Sequence, residues 1–247
     1  MLPILFKFGP ITIYSFGFVL GLGFFLTIFM AWRRLKDIGL TEEKILDMLI
    51  LATGAGVFFS WIIFRLQNYP YRGVSLWGGL VGFGIVVWWF CKKEKWDFGQ
   101  ILDELTFSLA PFGVIFNIGL FLDGSGPGKP TSMPWGIFLP GNLFKSHPVS
   151  IFSAIFFFVV WLIILQIERD WRGWKWVKSK DYGFIFLAFS FFCLAANLGV
   201  VFLSLNDIYW LYIKTIVNGL ALLFILILLI SRTGLWIRNP KKRTTNQ

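Results

Sequence analysis

The sequence predicts an all-α integral membrane protein: a bundle of about seven transmembrane helices, N-terminus outside, C-terminus in the cytoplasm, with one long outer loop. Three observations carry that prediction. Of 247 residues, 57% are apolar and only 15% charged, with a mean hydropathy of +0.72; soluble domains are about 45–50% apolar and about 25% charged. Seven windows are long and apolar enough to cross about 30 Å of hydrocarbon at 1.5 Å per residue. Lysine and arginine are distributed unevenly between alternate loops. A water-soluble fold of this size could not hide so much apolar surface, so a single membrane domain, residues 1–247, is the economical reading.

In chain order, the opening MLPILFKFGP has one lysine and no small-residue cleavage site, and it runs into a full-length span, so it does not read as a cleavable signal. The spans are Ile11–Trp32, Ile45–Arg65, Leu76–Cys91, Leu105–Leu122, Val149–Ile167, Tyr182–Leu203 and Tyr209–Ser231. The third is the shortest and richest in glycine. Unbroken runs such as IFSAIFFFVVWLIILQI exclude barrel strands, which would alternate every second residue. One set of loops holds Arg33, Arg34, Lys36, Lys92, Lys93, Lys95, Arg169, Arg172, Lys175, Lys178 and Lys180, and the tail adds Arg232, Arg238, Lys241, Lys242 and Arg243. The opposite loops hold Lys7, Arg72, Lys129 and Lys145. The positive-inside rule places the richer set in the cytoplasm. The longest outer connection, 123–148, is rich in glycine and proline, and its apolar WGIFLPG stretch is expected at the bilayer surface. It either caps a cavity or links two helices.

Other function classes are excluded by composition and spacing. A formal charge of +10 invites a nucleic-acid reading, but the charges cluster at span ends, where topology explains them. Cys91 and Cys193 are too few for a disulfide framework, no metal-ligand spacing occurs, and no cofactor motif is present. Ionisable groups at membrane depth are functional candidates by default, and few exist. Arg65 and Lys214 lie where long stems can snorkel. Asp47 and Glu104 sit near basic span ends, and His147 precedes Pro148 in the outer loop, suited to a turn or helix start. Asn117, Asn197 and Asn218 suit interhelical hydrogen bonds. Gly17, Gly21, Gly23, Gly54, Gly56, Gly78, Gly79, Gly82 and Gly84 are expected to let backbones approach closely, Gly78 and Gly82 with small-xxx-small spacing.

Several ordered segments resemble prolipoprotein diacylglyceryl transferase, the bacterial inner-membrane enzyme that moves a diacylglyceryl group from phosphatidylglycerol to a prolipoprotein cysteine. They are GPITIYSFG (9–17), GVSLWGGLVG (73–82), LAPFG (109–113), NIGLFLDG (117–124), IFLPG (137–141), HPVS (147–150) and the YGFIFLAFSFF run. The resemblance covers most of the chain, and the seven spans and outer N-terminus of that family agree with the topology above.

Its departures are systematic. Where the family's histidine precedes paired glycines, this chain has Trp77; its signature arginine and asparagine fall on Asn117 and Leu120, and its glutamate on Ser125. The tyrosine before Gly17 is Phe16, and a second-span arginine and tyrosine are Trp61 and Phe64. In the sixth span the expected tyrosine, arginine and glutamate are Phe189, Cys193 and Asn197. The resemblance implies that these positions line a cavity for a lipid headgroup. Here Phe16, Trp61, Trp77, Asn117, Ser125, Cys193 and Asn197 would line it without charge.

Two functions follow as expectations. The first is a non-catalytic homologue: a lipid- or lipoprotein-binding scaffold subunit of an inner-membrane complex, with membrane lipids such as phosphatidylglycerol and membrane-protein or lipoprotein partners. The second is an active transferase with a rearranged site, using Asp123 and His147 with Ser125 and Lys129 nearby. A transporter or channel ranks below both, because no charged file or inverted repeat is visible.

Overall fold

The computed structural model describes residues 4–9, 11–68, 74–126, 128–138, 143–171, 182–204 and 208–233. The loop cations Arg72, Arg172, Lys175, Lys178 and Lys180 and the tail from residue 234 lie outside them. Among the described residues two short hairpins accompany seven helices: β1 (Ile4–Phe8), β2 (Ile11–Tyr14), α1 (Ser15–Asp37), α2 (Glu42–Asn68), α3 (Leu76–Glu94), α4 (Phe98–Asp123), β3 (Ile137–Phe138), β4 (Lys145–Ser146), α5 (Val149–Asp170), α6 (Phe184–Leu203) and α7 (Ile208–Thr233).

Six of the helices are long and apolar enough to cross a membrane. The third, α3, is not among them: its 19 residues include Trp77, Trp88, Trp89, four glycines and a charged Lys92–Lys93–Glu94 end, all of which lower its hydropathy. The first expected span starts too early. Residues 11–14 pair with residues 4–8 as a hairpin turned at Gly9 (φ +56°), and the helix begins only at Ser15. Alternating, β-branched Ile11, Thr12 and Ile13 favour that strand.

The chain divides into two compact units, one comprising Met1–Leu26 with Leu109–Gln247, the other Thr27–Ser108. In the second, α2 and α3 pack backbone to backbone. A Cβ placed on Gly82 would stand 2.5 Å from the Ala55 carbonyl oxygen, and one on Gly78 2.7 Å from that of Phe59. This is the close approach that small-xxx-small spacing permits. Gly17, Gly21, Gly54 and Gly84, expected to act alike, have open space where a Cβ would go. The ends of this unit are built by caps. Gly39 (φ +88°) donates to Lys36 O while Leu40 donates to Leu35 O, closing α1 with paired bonds to its last carbonyls. Lys95 (φ 59°) ends α3, and Asp97 Oδ1 accepts the Gln100 N–H to start α4. Arg34 pairs with Glu104 at 3.4 Å and lies 3.9 Å over the Phe107 ring. Lys44 pairs with Glu94.

In the first unit, α1 meets α4 through Gly23, against Ile115 and Phe112, and through Gly119, against Phe16 and Val19. Gly113 lies under the Phe157 ring of α5. Trp171, buried at the end of α5, stacks on Phe184 of α6 with centroids 5.3 Å apart. Asn197 Nδ2 donates to Asn218 Oδ1 at 2.9 Å, joining α6 to α7.

Candidate functional site

The long connection between α4 and α5 begins where Gly124 (φ +77°) stops α4, its N–H bonding Phe121 O and the Ser125 N–H bonding Leu120 O. The segment that follows is stitched by backbone hydrogen bonds. Lys129 N–H donates to Leu203 O at the end of α6 (2.8 Å), Gly128 N–H to His147 O, His147 N–H to Lys129 O and Thr131 N–H to Lys145 O. Ser150 Oγ of α5 donates to Ser125 O. The described part of this connection is therefore a small sheet at the ends of α4, α5 and α6, held there by backbone hydrogen bonds. Of its apolar stretch, Trp135 and Phe138 are exposed, while Leu139, Pro140 and Gly141 lie outside the described residues.

The alternative catalytic pair is engaged elsewhere. Asp123 accepts a hydrogen bond from Ser125 Oγ. His147 Nδ1 accepts from the Trp135 indole at 3.3 Å, and its ring packs on Phe152. Among the described residues no hydrogen bond or ion pair joins Asp123 to His147. Through its carbonyl, His147 receives Gly128 N–H and Val149 N–H at the start of α5, the structural role expected for it. Lys129 is exposed and holds the connection through its backbone.

The positions read as a cavity lining each make local contacts within their own unit. Phe16 meets Phe116 edge to face (5.8 Å, 77°), one residue before Asn117. Asn117 is buried and turns its amide back to Gly113 O at 2.8 Å. Cys193 and Asn197 lie one turn apart on α6, where Asn197 bonds Asn218 and Asn218 Nδ2 bonds Lys214 O. Ser125 sits at the α4 exit. Trp61 and Trp77 belong to the Thr27–Ser108 unit, each about half exposed, Trp61 beneath the Arg65 guanidinium at 6.0 Å. The described part of α6 carries no charge, and α4 carries charge only at Asp103, Glu104 and Asp123. Asp103, the residue before Glu104, is buried, which nothing in its sequence neighbourhood marks.

Comparison with known proteins supplies the family. The family model described as prolipoprotein diacylglyceryl transferase matches residues 3–237. A phosphatidylglycerol–prolipoprotein diacylglyceryl transferase of Clostridium tetani is 30% identical over 187 residues, 68% of this chain and 75% of that protein. One of the same name from Photobacterium profundum is 30% identical over 184 residues, 67% and 68% of the two chains. Another from Tolumonas auensis is 26% identical over 211 residues, 79% and 80%. With its six apolar membrane-length helices, this chain is a multi-pass protein of the bacterial inner membrane and belongs to the prolipoprotein diacylglyceryl transferase family.

Proposed function

We propose that this chain is a non-catalytic member of its family, using the helical body to hold a phospholipid or lipoprotein within a larger inner-membrane assembly. One observation carries the reading. Where the resemblance calls for arginine, histidine, tyrosine and glutamate, the chain places neutral groups, and the amides among them are spent on internal bonds: the buried Asn117 to Gly113 O, the half-buried Asn197 to Asn218. A phosphate brought there would lose charge-assisted hydrogen bonds worth about 1.5–3 kcal/mol each. A thiol would find no base within reach along the described, uncharged α6. The outer N-terminus belongs to this proposal too: Arg33, Lys36, Lys92 and Lys93 share the helix ends that the positive-inside rule assigns to the cytoplasm.

The test is purification of the full chain in mild detergent, with mass spectrometry of the lipids and proteins retained. The reading expects phospholipid or a lipoprotein, and neighbouring membrane proteins, in fixed ratio. A bare monomer would contradict it. The second reading, an active transferase working from the outer connection, is favoured by family membership alone. It requires Asp123 and His147 to exchange their bonds to Ser125 and Trp135 for substrate. Transfer that survives substitution of both residues would refute this site assignment.

A further inference from the structure

One cluster at the C-terminal end of α3 enters the reading above only through the sign of its charge. Lys92 Nζ lies 4.5 Å from the centre of the Trp88 ring, and Lys93 Nζ 5.1 Å from that of Trp89. Lys36 lies likewise over Trp32 but is neutralised by Glu42 at 2.6 Å. Neither Lys92 nor Lys93 has an ion pair among the described residues, and neither indole N–H there has a hydrogen-bond partner. Both rings are about half exposed, 47% for Trp88 and 49% for Trp89. Below them Val81 and Ile85 are exposed on the same face, so the order along that face is Val81, Ile85, Trp88, Lys92.

From Val81 to Lys92 the helix rises about 17 Å at 1.5 Å per residue. That is about the depth of one leaflet's hydrocarbon, half of about 30 Å. The face thus has the proportions of a single phospholipid: an apolar strip for an acyl chain, the Trp88 indole at headgroup level and Lys92 above it, with Trp89 and Lys93 on the adjoining flank. Its unpaired positive charge selects the headgroup's sign.

We propose that α3 carries a site for one anionic phospholipid. An acyl chain runs along Val81, Ile85 and Trp88, and the headgroup phosphate sits between the ammonium groups of Lys92 and Lys93. The lipid would also complete α3 as a membrane element, the one helix among the described residues whose own hydropathy is too low. The site does not depend on what the family-cavity positions bind.

The experiment uses the full chain in phosphatidylcholine vesicles doped with brominated phosphatidylglycerol or brominated phosphatidylcholine, with tryptophan quenching as the readout. A lysine near an anionic surface is worth about fivefold in affinity, so two give a preference of about 25-fold for the anionic lipid at this site. Lys92→Gln with Lys93→Gln should bring the preference close to one, and Lys92→Arg with Lys93→Arg should keep it. Trp88→Phe with Trp89→Phe should remove the selectively quenched emission. Inorganic phosphate should displace no more lipid than chloride at equal ionic strength. A preference unchanged by the glutamine pair would overturn the proposal. So would displacement by phosphate beyond the chloride control, which would assign the cations to the free ion.

Discussion

Gly82→Ala isolates the contact that holds α2 to α3. The added methyl would stand 2.5 Å from the Ala55 carbonyl oxygen and 2.8 Å from Phe59 Cβ. Neither is the loose end of a side chain, so relief requires the helices to part. Overpacking of this kind costs about 1–3 kcal/mol, and for a chain of this size each kilocalorie lowers Tm by about 2–4 °C. The expected fall is therefore about 2–12 °C. Cys91, buried near the far end of α3, supplies the probe. In a Cys193→Ala background, a thiol-reactive fluorophore reports its exposure as the full protein is heated in detergent. Gly84→Ala is the control, because a methyl there meets nothing within 4 Å. It should leave Tm unchanged or raise it, alanine being the better helix former by about 1 kcal/mol. Equal melting of the two variants would refute the reasoning, since helix propensity alone would then account for both.

Three further outcomes follow from the same geometry. Gly128→Ala, whose methyl would sit 2.5 Å from His147 O, should loosen the α4–α5 connection and speed amide exchange at Lys129 and His147; unchanged protection would contradict the stitched sheet. In a double-mutant cycle on Asn197→Leu and Asn218→Leu, the coupling should be about 0.6 kcal/mol, the usual worth of a side-chain hydrogen bond within a membrane; strict additivity would mean that the bond contributes nothing. Glu104→Gln should destabilise the α1–α4 contact in the Thr27–Ser108 unit by about 1–2 kcal/mol, read by the same Cys91 melt, because Arg34 keeps its place over Phe107 but loses a charged partner. A melt identical to the unaltered protein would show the pair to be without effect.

The helices were legible because lipid leaves a coarse signature: runs of leucine, isoleucine and phenylalanine closed by charge. Their ends were legible where chemistry is local, as at Asp123–Gly124, where a glycine free to take positive φ terminates α4. The hairpin at residues 4–14 was missed because its strands are as apolar as the helix that follows, and hydropathy does not separate the two. Alternation through Ile11, Thr12 and Ile13 was the signal available. The glycines divided for another reason. Gly82 and Gly84 look alike in sequence, and only the carbonyl of Ala55 opposite one of them distinguishes their roles. Nor could sequence show that Lys129 is bonded through its backbone to Leu203, since no side-chain pattern records that pairing. At the family positions the lost charges were readable directly; that Asn117 and Asn197 spend their amides on Gly113 O and Asn218 was not.

The most direct test of the account is a transfer assay with the purified full chain, labelled phosphatidylglycerol and a prolipoprotein substrate bearing the acceptor cysteine, run beside an active relative such as the Clostridium tetani enzyme. The account predicts no labelled lipoprotein above the protein-free background while the relative converts its substrate. Appearance of a diacylglyceryl-modified cysteine with this chain would contradict the non-catalytic reading and return the search for a base and an anion site to Asp123, Ser125, Lys129 and His147.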